Sequence, residues 1–170
     1  PIDCPPAPFG TCTATPSTAA NNADADAWGL EASATWQAAS FWRLTLGYSW
    51  IDVDVDPDAN SLDPTAINAE GDMPHHQVQL LSRLDLPFGV ELDSSLYWVD
   101  EVSNQRVDDY FRLDERLAWR PWKGRPWEGL ELSVSGLNLL ERRHSEFGDS
   151  PIDVHSAVPR SVFGQVTWRY

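Results

Sequence analysis

Several side chains in this sequence could do chemistry. Asp52, Asp54, Asp56, Asp58, Asn60 and Asp63 supply oxygen ligands at nearly alternate positions, as calcium loops do. A hand-type loop needs Gly at its sixth position and Glu at its twelfth, and those positions here hold Pro57 and Asp63. The run therefore reads as a solvated acidic surface loop. A divalent-cation site on Asp52, Asp54, Asp56 and Asp58 is the alternative. His75 and His76 adjoin, so on a strand they face opposite sides and cannot chelate together. His144 and Glu146 could touch a metal or a ligand, but a structural hydrogen bond is the plainer reading. Ser, His and Asp are all available for a nucleophilic triad, yet no motif brings them together, so the chain is not read as an enzyme. Cys4 and Cys12 flank prolines and a glycine. They read either as a small disulfide loop, suited to an oxidising compartment, or as two thiols.

A last set consists of Arg43, Arg83, Glu91, Asp93, Asp114, Arg116 and Glu131. Each falls within a run of strict two-residue alternation, the signature of a strand. Trp28, Leu30, Ala32, Ala34 and Trp36 share one face, and Trp42, Leu44, Leu46, Tyr48 and Trp50 share the next. Similar runs cover 76–84, 90–98, 111–119, 130–136 and 162–170. About seven strands and no helix are expected. The charged set lies on the face opposite the apolar residues and mixes both signs. It suits contact with a plug inside a lumen, or the lining of a water-filled pore. One residue breaks the pattern: Glu115 lands on the apolar face between Leu113 and Leu117. Either a bulge re-aims it or protein covers that face locally.

The connections mostly alternate in length, although Ser103–Val107 is short for an outside loop and Pro121–Glu128 longish for a turn. Gln37–Ser40 and Asp85–Gly89 are short, and 53–74 and 141–157 are long, as are residues 1–27, which are read as an extracellular loop segment ahead of strands over 28–170. Transmembrane barrels have short periplasmic turns and long outside loops. No stretch approaches the roughly 18 apolar residues of a membrane helix. The mean hydropathy is -0.39. A membrane barrel gives such a value too, because only every second residue of its strands is apolar. The net charge of -14 would be repelled by phosphate backbones, so no nucleic-acid partner is expected.

Tryptophan placement bears on the choice between a membrane barrel and a soluble sandwich. The 9 Trp outnumber the 6 Phe and the 4 Tyr. Trp28 and Trp36 stand eight residues apart on one face, as do Trp42 and Trp50. Eight tilted strand residues rise about 20 Å, close to the apolar band of an outer-membrane barrel. Trp36, Trp42, Trp119, Trp168 and Tyr170 would form a periplasmic girdle, and Trp28, Tyr48, Trp50 and Trp98 an outer one. In the alternative, a secreted β-sandwich binding module, the same residues would be core.

Five segments, in order, are similar to one family. GLEASATWQAASFWRLTLGYSW resembles paired strands of TonB-dependent receptors, and MPHHQVQLLSRLDLPFGVELDSSLYWVD resembles the hairpin that follows. YFRLDERLAWRP, GLNLLERRHSEF and VPRSVFGQVTWRY resemble the three closing strands. The resemblance covers roughly residues 28–170. It implies an all-β, antiparallel, up-and-down transmembrane barrel segment, about seven strands of a larger barrel of about 22. It implies no cofactor. It implies a bacterial outer-membrane receptor taking up a small scarce ligand such as a siderophore–iron complex. The implied partners are outer-membrane lipid, the remaining strands, a plug domain, the TonB system and the barrel assembly machinery, which would read the segment ending in Tyr170. With no plug in the chain and too few strands to close, it is expected to be about the last third of such a receptor.

Overall fold

The computed structural model describes residues 21–61, 66–121, 129–148 and 156–169. Cys4, Cys12 and Tyr170 lie outside them. The chain forms one seven-stranded antiparallel sheet and one small hairpin. The strands are β1 (Ala23–Ala39), β2 (Trp42–Pro57), β3 (His76–Leu86), β4 (Val90–Val99), β5 (Tyr110–Trp119), β6 (Leu130–Leu137), β7 (Arg143–Phe147), β8 (Ser156–Pro159) and β9 (Ser161–Trp168). The sheet order is β1-β2-β3-β4-β5-β6-β9, and β7 pairs only with β8. Each sheet strand thus lies beside its predecessor, with β7 and β8 an excursion between β6 and β9.

Register follows the sequence pattern. Leu46 stands opposite Ala34 and Leu80, Leu80 opposite Leu96, and Leu96 opposite Leu113. Apolar rows therefore run across the sheet on one face, and a slip of one residue in any strand would turn its polar set onto that face instead. At the β3–β4 turn Phe88 and Gly89 both take positive φ, 64° and 77°. Gly89 fits that conformation freely, whereas Phe88 adopts it as a bulky outlier.

The apolar face has no layer packed on it. Among the described residues only Val55, Val102, Val107 and Ala118 are buried hydrophobics. Trp28 is 73% exposed, Val134 54% and Val166 70%. A sandwich needs a second sheet over such residues; here the described second sheet is only the β7–β8 hairpin. The sandwich reading therefore falls.

Three expectations need correction. The segment read as loop up to residue 27 already contains the start of β1, which begins at Ala23. The acidic run is not a loop through its first half: Asp52, Asp54 and Asp56 belong to β2, opposite Trp28, Asp26 and Asp24. Facing carboxylates oppose pairing. The strand is held by the alternating Val53 and Val55, and the Val55 N–H donates to Glu70 Oε1 at 2.9 Å where β3 no longer reaches. Asp58 lies past the strand, and the described residues gather no metal-binding cluster. Third, the connection 141–157 holds the β7–β8 hairpin rather than loop alone.

Glu115 is not re-aimed by a bulge. The β4–β5 register runs unbroken through it, and Ser94 Oγ donates to Glu115 Oε2 at 2.7 Å on the apolar face.

Candidate functional site

The charged face divides into two regions. Near the short turns, Glu91 is almost fully buried among guanidinium groups. Arg83 Nη2 lies 2.6 Å from Glu91 Oε2, and Arg120 Nη1 lies 3.2 Å from the same oxygen. Arg116 Nη1 reaches Glu91 Oε1 at 3.3 Å and Asp93 Oδ2 at 3.1 Å. Arg116 also donates to Glu131, whose other oxygen accepts from Arg120 Nε at 2.8 Å.

Register builds this network. Arg83 stands opposite Asp93, and Asp93 opposite Arg116. Ala118, opposite both Glu91 and Ser133, is buried and leaves room for Arg116 and Arg120 to converge on either side. Three guanidinium groups thus meet Glu91, Asp93 and Glu131, and the exposed Asp85 adds a fourth carboxylate 3.9 Å from Arg83 Nε. Arg120 sits just past β5, and its charged form is favoured by the hydrogen bonds it donates, first to Glu91 and then to Glu131.

The structure thus joins Arg83, Glu91, Asp93, Arg116 and Glu131 from the expected set. Arg43 stands apart, opposite Arg83 in register and donating to Gln37 Oε1 at 3.1 Å. Asp114 belongs to a separate cluster toward the loops. There Arg112 Nη2 lies 2.9 Å from Asp114 Oδ2 and Arg112 Nη1 3.6 Å from Glu146 Oε1. His144 Nε2 lies 3.0 Å from Glu146 Oε1, and its ring stacks on Tyr110 at 4.3 Å between centroids. His144 and Glu146 therefore meet as a structural pair. Asn138 ties this cluster to the hairpin: its N–H donates to Asp114 Oδ1 and its Nδ2 to the Val158 carbonyl, both at 2.9 Å. Asn138 has φ 53°, a conformation that Asn tolerates well.

Across β1–β4, toward the loops, the face is open. A cavity of about 520 Å³ is lined on this face by Glu31, Ser33, Gly47, Ser49, Gln77, Gln79 and Tyr97. A smaller one of about 170 Å³ adjoins it at Tyr97 and Val99 and reaches Tyr110, Arg112 and Asp114. Reading the strands missed Arg120 as a member of the network, although it continues the alternation of Arg116 and Ala118. The cavity left no sequence signal except Gly47 amid larger residues.

On the opposite face, Trp36, Trp42, Trp119 and Trp168 lie at the turn end of their strands. Trp50 stands opposite His76, and Trp98 opposite Phe111, at the other end. Trp42 Nε1 donates to Ser82 Oγ at 3.0 Å and Trp98 Nε1 to Asp109 Oδ2 at 3.2 Å. Tyr48 Oη and His76 Nδ1 are 2.9 Å apart.

An open antiparallel sheet with one uncovered apolar face and one ionic face is the architecture of a transmembrane barrel segment. The sequence matches the family described as TonB-dependent receptor-like, β-barrel, over residues 2–139. The chain belongs to that family, which is one of outer-membrane transporters rather than enzymes. No curated protein matches it. Among solved structures it is similar to the ferric yersiniabactin uptake receptor FyuA from Yersinia pestis, with a TM-score of 0.58 and 24% identity. That match covers 86% of this chain and 23% of FyuA, so the chain spans about a quarter of the receptor it resembles.

Proposed function

We propose that the chain is the C-terminal barrel portion of a TonB-dependent receptor that carries a scarce small ligand, a siderophore–iron complex, across the outer membrane. The observation that carries this reading is the sheet's two-sidedness: tryptophans and aliphatics uncovered on one face, a paired ionic network on the other. In lipid the apolar face needs no cover, and the ionic face becomes the lumen wall. The tryptophans at the two strand ends then sit at the two interfaces, as aromatic girdles do. Arg83, Glu91, Asp93, Arg116 and Glu131, with Arg43 beside them, face the plug domain near the periplasmic end, and Asp114 faces the lumen above them. β1 and β9 are open edges, which lipid does not tolerate, so further strands must pair with them. The remaining partners in this reading are the TonB system through the plug, and the assembly machinery, which reads the sequence segment ending in Tyr170.

The test is uptake of radioactive iron by cells producing the full-length receptor as their sole ferric-chelate receptor, with and without TonB. Accumulation that requires both supports the reading. Accumulation that ignores TonB, or none from a folded receptor across a panel of ferric chelates, counts against it.

A further inference from the structure

The loop end of the chain holds packing that the sheet lacks. Among the described residues the buried hydrophobics Val55, Val102 and Val107 all lie beyond Trp50 and Trp98, and only Ala118 lies within the sheet's span. Loops are ordinarily the mobile part of a fold, because few contacts oppose their opening. Here three of them are joined side to side.

The first joint lies between β2 and the chain that follows it. Ala66–Gly71 forms a short 3₁₀ segment, and its Glu70 Oε1 accepts from the Val55 N–H at 2.9 Å. This segment seats against the β4–β5 loop. A Cβ on Gly71 would stand 3.0 Å from Asn104 Cβ and 3.1 Å from Ser103 Oγ, so the bare glycine is what lets the two loops touch. Asn104 Nδ2 donates to Asp72 Oδ1 at 2.6 Å, and Gln105 Nε2 to the Asp72 carbonyl at 3.5 Å. The β4–β5 loop is itself closed. Val102 and Val107 exchange backbone hydrogen bonds at 2.9 and 3.2 Å, and Arg106 takes φ 53° to turn the chain between them.

Gln105 then reaches the third loop. Its Oε1 accepts from the N–H of the buried Gly148 at 3.5 Å, and a Cβ on Gly148 would collide with the Gln105 carbonyl. The β7–β8 hairpin on either side of that loop is bound to β5 by the stack of His144 on Tyr110, the Arg112–Glu146 pair and Asn138. Each joint is small, but together they form an unbroken series from β2 to β5. Opening the middle loop alone breaks contacts on both of its sides. Both ends of the series belong to the sheet, so the joined loops are also fixed to the barrel wall.

Resting on the receptor reading above, we propose that the β2–β3 loop, the β4–β5 loop and the β7–β8 hairpin form a fixed rim on this side of the barrel mouth, which stays assembled while a ligand passes. Opening of the mouth then falls to loops from the rest of the receptor.

The first experiment staples the rim. Gly71→Cys with Asn104→Cys, in a full-length receptor carrying Cys4→Ser and Cys12→Ser, brings two thiols to the separation that a disulfide needs. Cells producing it are given radioactive iron as a ferric trihydroxamate or a ferric tris-catecholate, whichever the parent with the two serine substitutions accumulates. Uptake with the disulfide formed should equal uptake after reduction. A loss that reduction restores overturns the proposal, because the loops would then have to part. Failure of the thiols to join under oxidant overturns it too, because the loops would not be seated together.

The second experiment needs no ligand. Gly71→Leu pushes the first loop off the second. In hydrogen exchange of the purified full-length receptor in detergent, amides of 100–107 and 143–148 should exchange roughly tenfold faster together, the scale of one or two lost hydrogen bonds. The Leu46 amide, within the sheet, should not change. Faster exchange confined to 66–72 overturns the proposal, since the loops would be independent. Faster exchange at Leu46 as well also overturns it, since the rim would be no separate body. A parent that accumulates neither chelate through TonB defeats the receptor reading instead, and the exchange result still decides the rim.

Discussion

The two parts of the charged face differ in what their polar groups do. Near the turns, Glu91 is shared by Arg83, Arg116 and Arg120, and Glu131 by Arg116 and Arg120. Toward the loops, Ser33, Ser49, Gln77 and Gln79 line a cavity without partners of their own. Strands β3 and β4 contribute to both regions, so the backbone is not what separates them. The difference is side-chain chemistry at a few alternate positions. It teaches that one strand can be fixed at one end and left available at the other. A closed ionic network resists rearrangement because removing any member strands the rest, whereas unpaired neutral groups can be recruited by a newcomer without breaking anything.

In the proposed reading both regions lie on the lumen side, and the largest expected effect tests that. Val134 is on the apolar face, and Ser135 follows it on the charged face opposite Arg116 and Phe163. In the full-length receptor, Val134→Arg should destabilise by about 2–4 kcal/mol, the cost of a lipid-facing arginine near the midplane. Ser135→Arg should cost much less, since water or a carboxylate can reach it. Heat-modifiable migration after folding into detergent reads both. Equal losses would reverse or abolish the facing.

The next effect concerns the network itself. Glu91→Gln keeps the shape but removes the charge that three arginines share. Leaving partly buried charged groups without their acceptor should cost about 2 kcal/mol. The midpoint of urea unfolding in lipid vesicles measures it. If the midpoint does not move, the network is decoration on a barrel stabilised elsewhere, and the contrast between the two regions loses its first half.

Much of this architecture was legible in the sequence. Each of the seven sheet strands carries its own two-residue alternation, so the elements and their facing could be read from Trp28, Leu44 or Val134 without contacts. The extensions of β1 and β2 were hidden by composition. Asp and Ala are poor strand formers, and Asp52, Asp54 and Asp56 suggested a loop. Yet Val53 and Val55 alternate with them, and that signal points to the strand. Membership of Arg43 and Asp114 in the network could not be read, because register alone does not say where a long side chain ends. Arg43 turns to Gln37, and Asp114 is claimed by Arg112 and the Asn138 N–H. The cavity was invisible because it is made of what its lining residues do not bond.

A smaller effect is expected at Glu115. It faces outward, four residues from Trp119 and four from Phe111, so it lies midway across the apolar band with Ser94 as its hydrogen-bond donor. Acidic groups on a lipid face cost less than arginine, though more than nothing. Glu115→Leu should therefore stabilise the folded receptor in vesicles, by about 1 kcal/mol. A loss instead would mean that protein, not lipid, covers this point, and that the outer face has a partner.

The smallest effect tests the second half of the comparison. Gln77 lies on β3 opposite Ser49 and Val99, with its amide facing the cavity and no partner of its own. Nothing in the described fold depends on that amide, so Gln77→Ala should shift stability by less than about 0.5 kcal/mol, as surface substitutions away from packed or paired groups do. Glu91→Gln, one strand away at the other end of the same face, should shift it several times more. Both variants belong in one unfolding series in the same vesicles, so that the ratio rather than either absolute value is read. A Gln77→Ala loss as large as that of Glu91→Gln would mean that the amide is spent on a contact within the whole barrel or with its plug. The open region would then be no freer than the closed one.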